Sequence, residues 1–162
     1  MKKNFFLIAL IFLIFSTTSC TGYKPIFNSS SFKFKIVDST LEGDLRLGRQ
    51  LNSKFLSATA LNKNNQEMTS VEIIINIEKE KVASVKNITG KIIEYKIILN
   101  TNIILNDHLN SKELLNQTFN YVSGYNVQDQ HSETVKLENK ILKDLIDKTY
   151  QDSIIKISEF FN

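Results

Sequence analysis

Side chains able to do chemistry are few among these 162 residues. The two histidines are His108 and His131. His131 lies in Asp129-Gln130-His131-Ser132-Glu133, where an imidazole flanked by carboxylates could relay a proton or join a metal site. Neither role is expected, because all five residues share one polar loop with nothing to supply further ligands or orient the ring. There is no Ser-His-Asp constellation, glycine-rich phosphate loop or GxSxG motif. An enzyme is therefore not expected, and no metal or cofactor is implied. Two features remain. Cys20 is the only thiol. Lys79, Lys81, Lys86 and Lys91 stand together between Glu78 and Lys91, with Val82, Val85 and Ile88 among them. Lysine binds phosphate as a compact point charge, and the interleaved apolar side chains could meet hydrocarbon. The plainer alternative is a solvated hairpin end in which Glu78 and Glu80 neutralise two of the charges.

The surroundings of Cys20 say what its chemistry would be. Lys2 and Lys3 precede an unbroken apolar run from Phe5 to Phe15, and small polar residues Ser16 to Ser19 lead to the thiol. That order reads as a secretory signal peptide over residues 1–19. The run falls short of the ~20 apolar residues that cross a bilayer as a helix. The small residues with Cys20 resemble a bacterial lipobox, in which the thiol receives a diacylglycerol and the signal is cut before it. Ser19 fits that pattern, and Thr17 stands where leucine is usual. A plain signal peptide with a nearby cysteine is the alternative. It would leave a lone free thiol in an oxidising compartment, which acylation avoids. In resembling lipoproteins, Thr21 after the cysteine in place of aspartate directs the protein to the outer membrane.

Composition changes once the signal is removed. The full chain carries 20 basic and 17 acidic residues, for a formal charge of +3. The signal takes 19 residues and both of its lysines, so 143 remain with 18 basic against 17 acidic. Nucleic-acid binding is not expected from so even a balance. The length fits one domain.

The elements follow from periodicity. Residues 20–31, with Gly22, Pro25 and Asn28-Ser29-Ser30-Ser31, read as a lidless polar tether, and 32–162 as the domain. Phe32, Phe34 and Ile36 alternate in a first strand ending at Val37. Asp38-Ser39-Thr40 offers N-caps for a helix from Leu41 to Ser57, and 62–66 is a polar loop. Val71, Ile73, Ile75 and Ile77 alternate in a second strand, and the pattern breaks from Glu78 to Thr89. A long alternation from Lys91 to Asn106 predicts a third strand, long enough to require a bend or bulge. Asp107 to Lys112 is a turn, and Phe119 and Tyr121 mark a fourth strand. Apolar residues at helical spacing from Leu137 onward predict a helix from Ser132 to about Phe160. The order β-α-β-β-β-α is an α+β class: a four-stranded, mostly antiparallel sheet with two helices on one face.

Cys20-Thr21-Gly22-Tyr23-Lys24-Pro25-Ile26-Phe27 resembles the mature start of the LptE family of lipopolysaccharide-assembly lipoproteins, with Thr21 inserted into its pattern. Arg46-Leu47-Gly48-Arg49-Gln50-Leu51 is similar to that family's arginine- and glutamine-containing helix, and Tyr125 with the closing amphipathic helix is similar to its C-terminal segment. The resemblance implies a non-catalytic lipoprotein on the periplasmic face of the outer membrane. It implies that the protein plugs and partners an LptD-type β-barrel and binds lipopolysaccharide. Lipid A phosphates then become the expected ligand of Lys79, Lys81, Lys86 and Lys91, with Arg46 and Arg49 as the next candidates. Another periplasm-facing lipoprotein, such as an auxiliary subunit of a lipid transporter or a scaffold, is the alternative.

Cys20 is expected to be acylated. Mass spectrometry of the native mature protein should show the lipid on that residue, and Cys20→Ala should yield an uncleaved or unanchored species. A free Cys20 thiol on the native protein would end the lipoprotein reading.

Overall fold

The computed structural model describes residues 33–60 and 68–161. Cys20, the signal and the tether lie outside the described residues. Strands β1 (Phe34–Gly43), β2 (Thr69–Lys86), β3 (Ile92–Asp107) and β4 (Glu113–Asn126) are joined by helix α1 (Leu45–Ala60), which follows β1, and closed by α2 (His131–Phe161). The sheet order is β1-β2-β3-β4. β1 and β2 run parallel across the α1 connection, and the two hairpins are antiparallel. This is the expected α+β arrangement.

Period-2 alternation on β2 and β3 sets the core. Ile73, Ile75 and Ile77 stand opposite Leu105, Ile103 and Thr101, and all six are buried. Phe119 and Tyr125 extend the same face on β4. Against it α1 buries Leu47, Leu51 and Phe55, while α2 buries Leu142, Leu145, Ile146, Ile154 and Ile157. Each helix thus presents its apolar stripe to one sheet face, with its charges outward.

Three element boundaries depart from expectation. β1 continues to Gly43, because a bulge at Val37 moves the pairing from Ile36↔Val71 to Asp38↔Glu72. The extra residue reverses the alternation, so Ser39 and Leu41 take the core side after Phe34 and Ile36. Asn52 Nδ2 on α1 donates to Ser39 Oγ at 3.0 Å, in keeping with that side. Consequently Asp38-Ser39-Thr40 is strand and not a cap. The cap is Asp44, whose Oδ1 accepts from the N–H groups of Arg46 and Leu47 at 3.1 Å each. Gly43 makes the corner possible. Its φ is 73°, and a Cβ there would lie 2.1 Å from the Ile77 carbonyl oxygen. The third departure is β2, which runs to Lys86 where a break after Ile77 was expected. The anticipated irregularity of the long hairpin lies in β2 around Val85, with another where β3 meets β4 at Leu105 and Asn106.

The opposite sheet face has no described element over it. Asn102 Nδ2 donates to Asn116 Oδ1 at 2.9 Å and to Thr118 Oγ1 at 3.0 Å, and Asn120 donates to Asn100. Ile74, Ile98, Ile104 and Val122 share that face, the first three half-buried and Val122 exposed.

Ile97→Ala, Leu99→Ala and Leu145→Ala should each destabilise the domain by ~2–5 kcal/mol, through lost burial and a residual cavity. Thr101→Val should do the opposite, raising stability by about 1 kcal/mol, because the buried Thr101 hydroxyl finds no hydrogen-bond partner among the described residues. Urea titration of the four variants checks both signs.

Candidate functional site

The four lysines singled out by sequence do not line one connecting loop. Lys79, Lys81 and Lys86 are on β2, and the actual turn is Asn87–Lys91. That turn is built on the Asn87 side chain, whose Oδ1 accepts from Thr89 N, Thr89 Oγ1 and Lys91 N at 3.0, 2.8 and 2.9 Å. Gly90, at φ 83°, completes it. Lys79 and Lys81 share the face that α2 covers, since their cross-strand partners are Leu99 and Ile97 of the core.

Lys81 is committed to the fold. Its Nζ lies 2.6 Å from Glu138 Oε2 on α2, and the Tyr125 hydroxyl donates to the same oxygen at 2.8 Å. The ammonium also sits 4.3 Å from the Tyr95 ring centroid and 5.6 Å from that of Tyr125. The hydrogen bonds with Glu138 and Tyr125 hold Lys81 above its ordinary pKa, outweighing desolvation. Burial alone would raise the Glu138 carboxyl, but the bonds from Lys81 and Tyr125 prevail and hold it below the ordinary carboxylate value. Burial raises the Tyr125 hydroxyl. The cluster pins the first turns of α2 to the middle strands. Sequence reasoning missed it because Lys81 and Glu138 are 57 residues apart.

A second basic surface is concave. Between α1 and α2 runs a groove of about 620 Å³, within the size range of small-ligand sites. Arg46, Arg49 and Lys54 line it from α1, and Lys143 with Asp147 from α2. Leu142 and Ile146 are its buried apolar lining. Lys54 pairs with Asp147 at 2.7 Å. Arg46, Arg49 and Lys143 form no ion pair among the described residues. Four cations and one carboxylate over an apolar floor suit an anionic group attached to a hydrophobic body. The helix that the sequence singled out through Arg46, Arg49 and Gln50 therefore supplies one wall. Lys143 is the member that only packing brings in.

The histidines do little here. His108 lies in the β3–β4 turn, and its backbone N–H donates to the Ser70 carbonyl at 3.0 Å. His131 is the exposed first residue of α2, and the nearby Glu133 pairs with Lys136 at 2.8 Å. Among the described residues no group of three or more His, Cys, Asp or Glu is placed to hold a metal ion. Among the same residues no helix is long and apolar enough to cross a membrane.

No protein-family model and no curated protein sequence matches this chain. Solved structures do. An uncharacterized lipoprotein B from Nitrosomonas europaea is similar with a TM-score of 0.58, covering 86% of this chain and 92% of its own at 18% identity. A candidate lipoprotein from Caulobacter crescentus CB15 gives 0.55, covering 82% and 91% at 12% identity. The rare lipoprotein B of Shewanella oneidensis gives 0.50, covering 77% and 99% at 14% identity. At these identities the likeness is one of fold. The domain is thus an α+β domain of the architecture found in these proteins.

Glu138 links the cluster to pH. A carboxyl depressed in the folded state contributes stability that is complete above its ordinary value of 4.5 and is lost as pH falls through the folded value. Lys81, raised above 10.5, contributes stability present below that pH and lost above it. Glu138→Gln should therefore lower the melting temperature near neutral pH. The gap to wild type should narrow steadily below pH 4.5 and be nearly closed by about pH 3. Melting curves of both proteins across that range check the sign.

Proposed function

We propose that this chain is a non-catalytic, lipid-anchored protein of the outer membrane, facing the periplasm. Its role is to assist lipopolysaccharide transport and assembly, as plug and partner of an LptD-type β-barrel. The observation that carries the reading is the fold shared with the rare lipoprotein B of Shewanella oneidensis, over 99% of that chain. Rare lipoprotein B is a name of the LptE family. The lipobox-like segment at Cys20 and the family-like stretch that follows support it from the sequence side. The uncovered sheet face, with its cross-strand asparagine and threonine bonds, gives the domain a polar wall suited to a hydrated barrel lumen.

Lipopolysaccharide is a phosphorylated amphiphile, and we place its phosphates in the α1–α2 groove. Arg46, Arg49 and Lys143 have charge to offer there, and Leu142 and Ile146 offer apolar contact. Lys79, Lys86 and Lys91 are exposed and form the second basic surface, with Lys81 withdrawn into its pair with Glu138.

Pull-down of the acylated mature protein from solubilised outer membranes should recover a β-barrel as main partner. Recovery of an inner-membrane transporter would favour the auxiliary-subunit reading. Neutralising Arg46, Arg49 and Lys143 together should weaken lipopolysaccharide binding several-fold at low salt and flatten its salt dependence, with the melting transition retained. A larger loss on neutralising Lys79, Lys86 and Lys91 would move the phosphate site to the hairpin.

A further inference from the structure

The two ends of the sheet differ in chemistry. One end gathers the start of β1, the start of β2, the β3–β4 turn and the C-terminus of α2. There Phe34 pairs with Thr69, Val71 pairs with Asp107, and the Phe161 ring stacks on Phe34 at 5.2 Å. The far end is the Asn87–Lys91 turn.

The first end displays two large apolar side chains, Leu109 at 89% exposure and Phe160 at 48%. Leu109 is held out by an ordered turn. Its N–H donates to Asp107 Oδ1 at 2.8 Å, Asn110 Nδ2 donates to Asp107 Oδ2 at 3.3 Å, and Lys112 N–H donates to Asn110 Oδ1 at 2.9 Å. Phe160 is braced edge-on against Phe161 at 5.1 Å. Lys33 and Lys112 are exposed at the same end. Of its carboxylates, Asp107 is taken up by the turn, Glu113 accepts from Asn116 at 3.3 Å, and Glu159 pairs with Lys156 at 2.9 Å.

Chain length decides which end can meet a bilayer. The chain from Cys20 to Lys33 reaches roughly 45 Å at full extension, at ~3.3–3.6 Å per residue. The 18 residues of β2 span roughly 55 Å at ~3.3 Å each. With the Asn87–Lys91 turn end-on in the leaflet, Lys33 would stand farther from it than the tether reaches. The end holding Leu109 and Phe160 has no such conflict.

We propose that this end is a membrane-seating surface. Leu109 and Phe160 enter the interfacial region of the phospholipid leaflet that holds the Cys20 lipid, with Lys33 and Lys112 at headgroup level. The free lipoprotein then stands with its long axis off the membrane and its hairpin directed away. The proposal rests on the acylation of Cys20.

The chain contains no tryptophan, so one introduced indole reports its own surroundings. The acylated mature protein carrying Leu109→Trp is reconstituted on phosphatidylethanolamine–phosphatidylglycerol vesicles, with or without acyl-brominated lipid. Blue-shifted emission and about twofold quenching by the brominated lipid are expected, and Phe160→Trp should behave alike. Ile88→Trp, at the far turn, should stay water-like and unquenched. Flotation separates the two ways of failing. Protein that does not float with the vesicles sinks the acylation and the proposal together. Protein that floats with Leu109→Trp and Phe160→Trp unquenched, or with Ile88→Trp quenched as strongly, overturns the seating surface alone.

Discussion

Everything else in this domain hangs on the register between β2 and β3. Val71, Ile73, Ile75 and Ile77 face the helices only because they stand opposite Asp107, Leu105, Ile103 and Thr101. A slip of one residue would turn those isoleucines to the open face and bring Glu72, Ile74 and Asn76 under the helices. Burial of charge and amide groups without partners makes that alternative costly, so the pairing is strongly specified. The helices then have one face to cover, and their apolar stripes meet on it in a single core cluster.

The remaining polar groups are distributed around that choice. At the α2 start the core gives way to Lys81, Tyr95, Tyr125 and Glu138, an ion pair roofed by aromatic rings. Its charges remain partly in water, so it acts more as a locator of α2 than as a large source of stability. A comparable contact lies farther along α2, where the Tyr121 hydroxyl bonds to Asp152 and Lys148 lies 4.7 Å from the Tyr121 ring centroid. Between the helices, Lys54 and Asp147 bridge α1 to α2, and the rim beside them keeps its unpaired cations. Positive charge is thus retained where two helices leave a hollow, and neutralised where a helix meets the sheet.

The open sheet face is polar in a particular way. Its asparagine and threonine side chains bond across strands, satisfying one another as well as water. Isoleucines between them keep the face from being purely hydrophilic. Such a surface tolerates a hydrated enclosure or a wet protein interface equally well, which fits the proposed role inside a barrel partner.

Much of the fold is legible in the residue order. Alternation on the second and third strands, the helical spacing from Leu137 onward and the element order each follow from local periodicity, which depends only on neighbours along the chain. The lipobox-like segment at Cys20 is likewise a property of sequence alone. The limits appear where a local pattern is reset or a partner is remote. The bulge at Val37 reversed the alternation, so the first strand reads as ending there, and Asp38 reads as a cap in place of Asp44. Charges interrupt β2 after Ile77, yet pairing with β3 carries the strand on to Lys86. Lys81 looks like one of four ligand-seeking lysines until Glu138, far along the chain, comes to rest beside it. Lys143 joins Arg46 and Arg49 only because two helices pack on the same sheet face. Periodicity determined which elements form and which sides they bury. Cross-strand register and helix packing, which bring distant residues together, decided which charges are spent on the fold and which are left for a ligand.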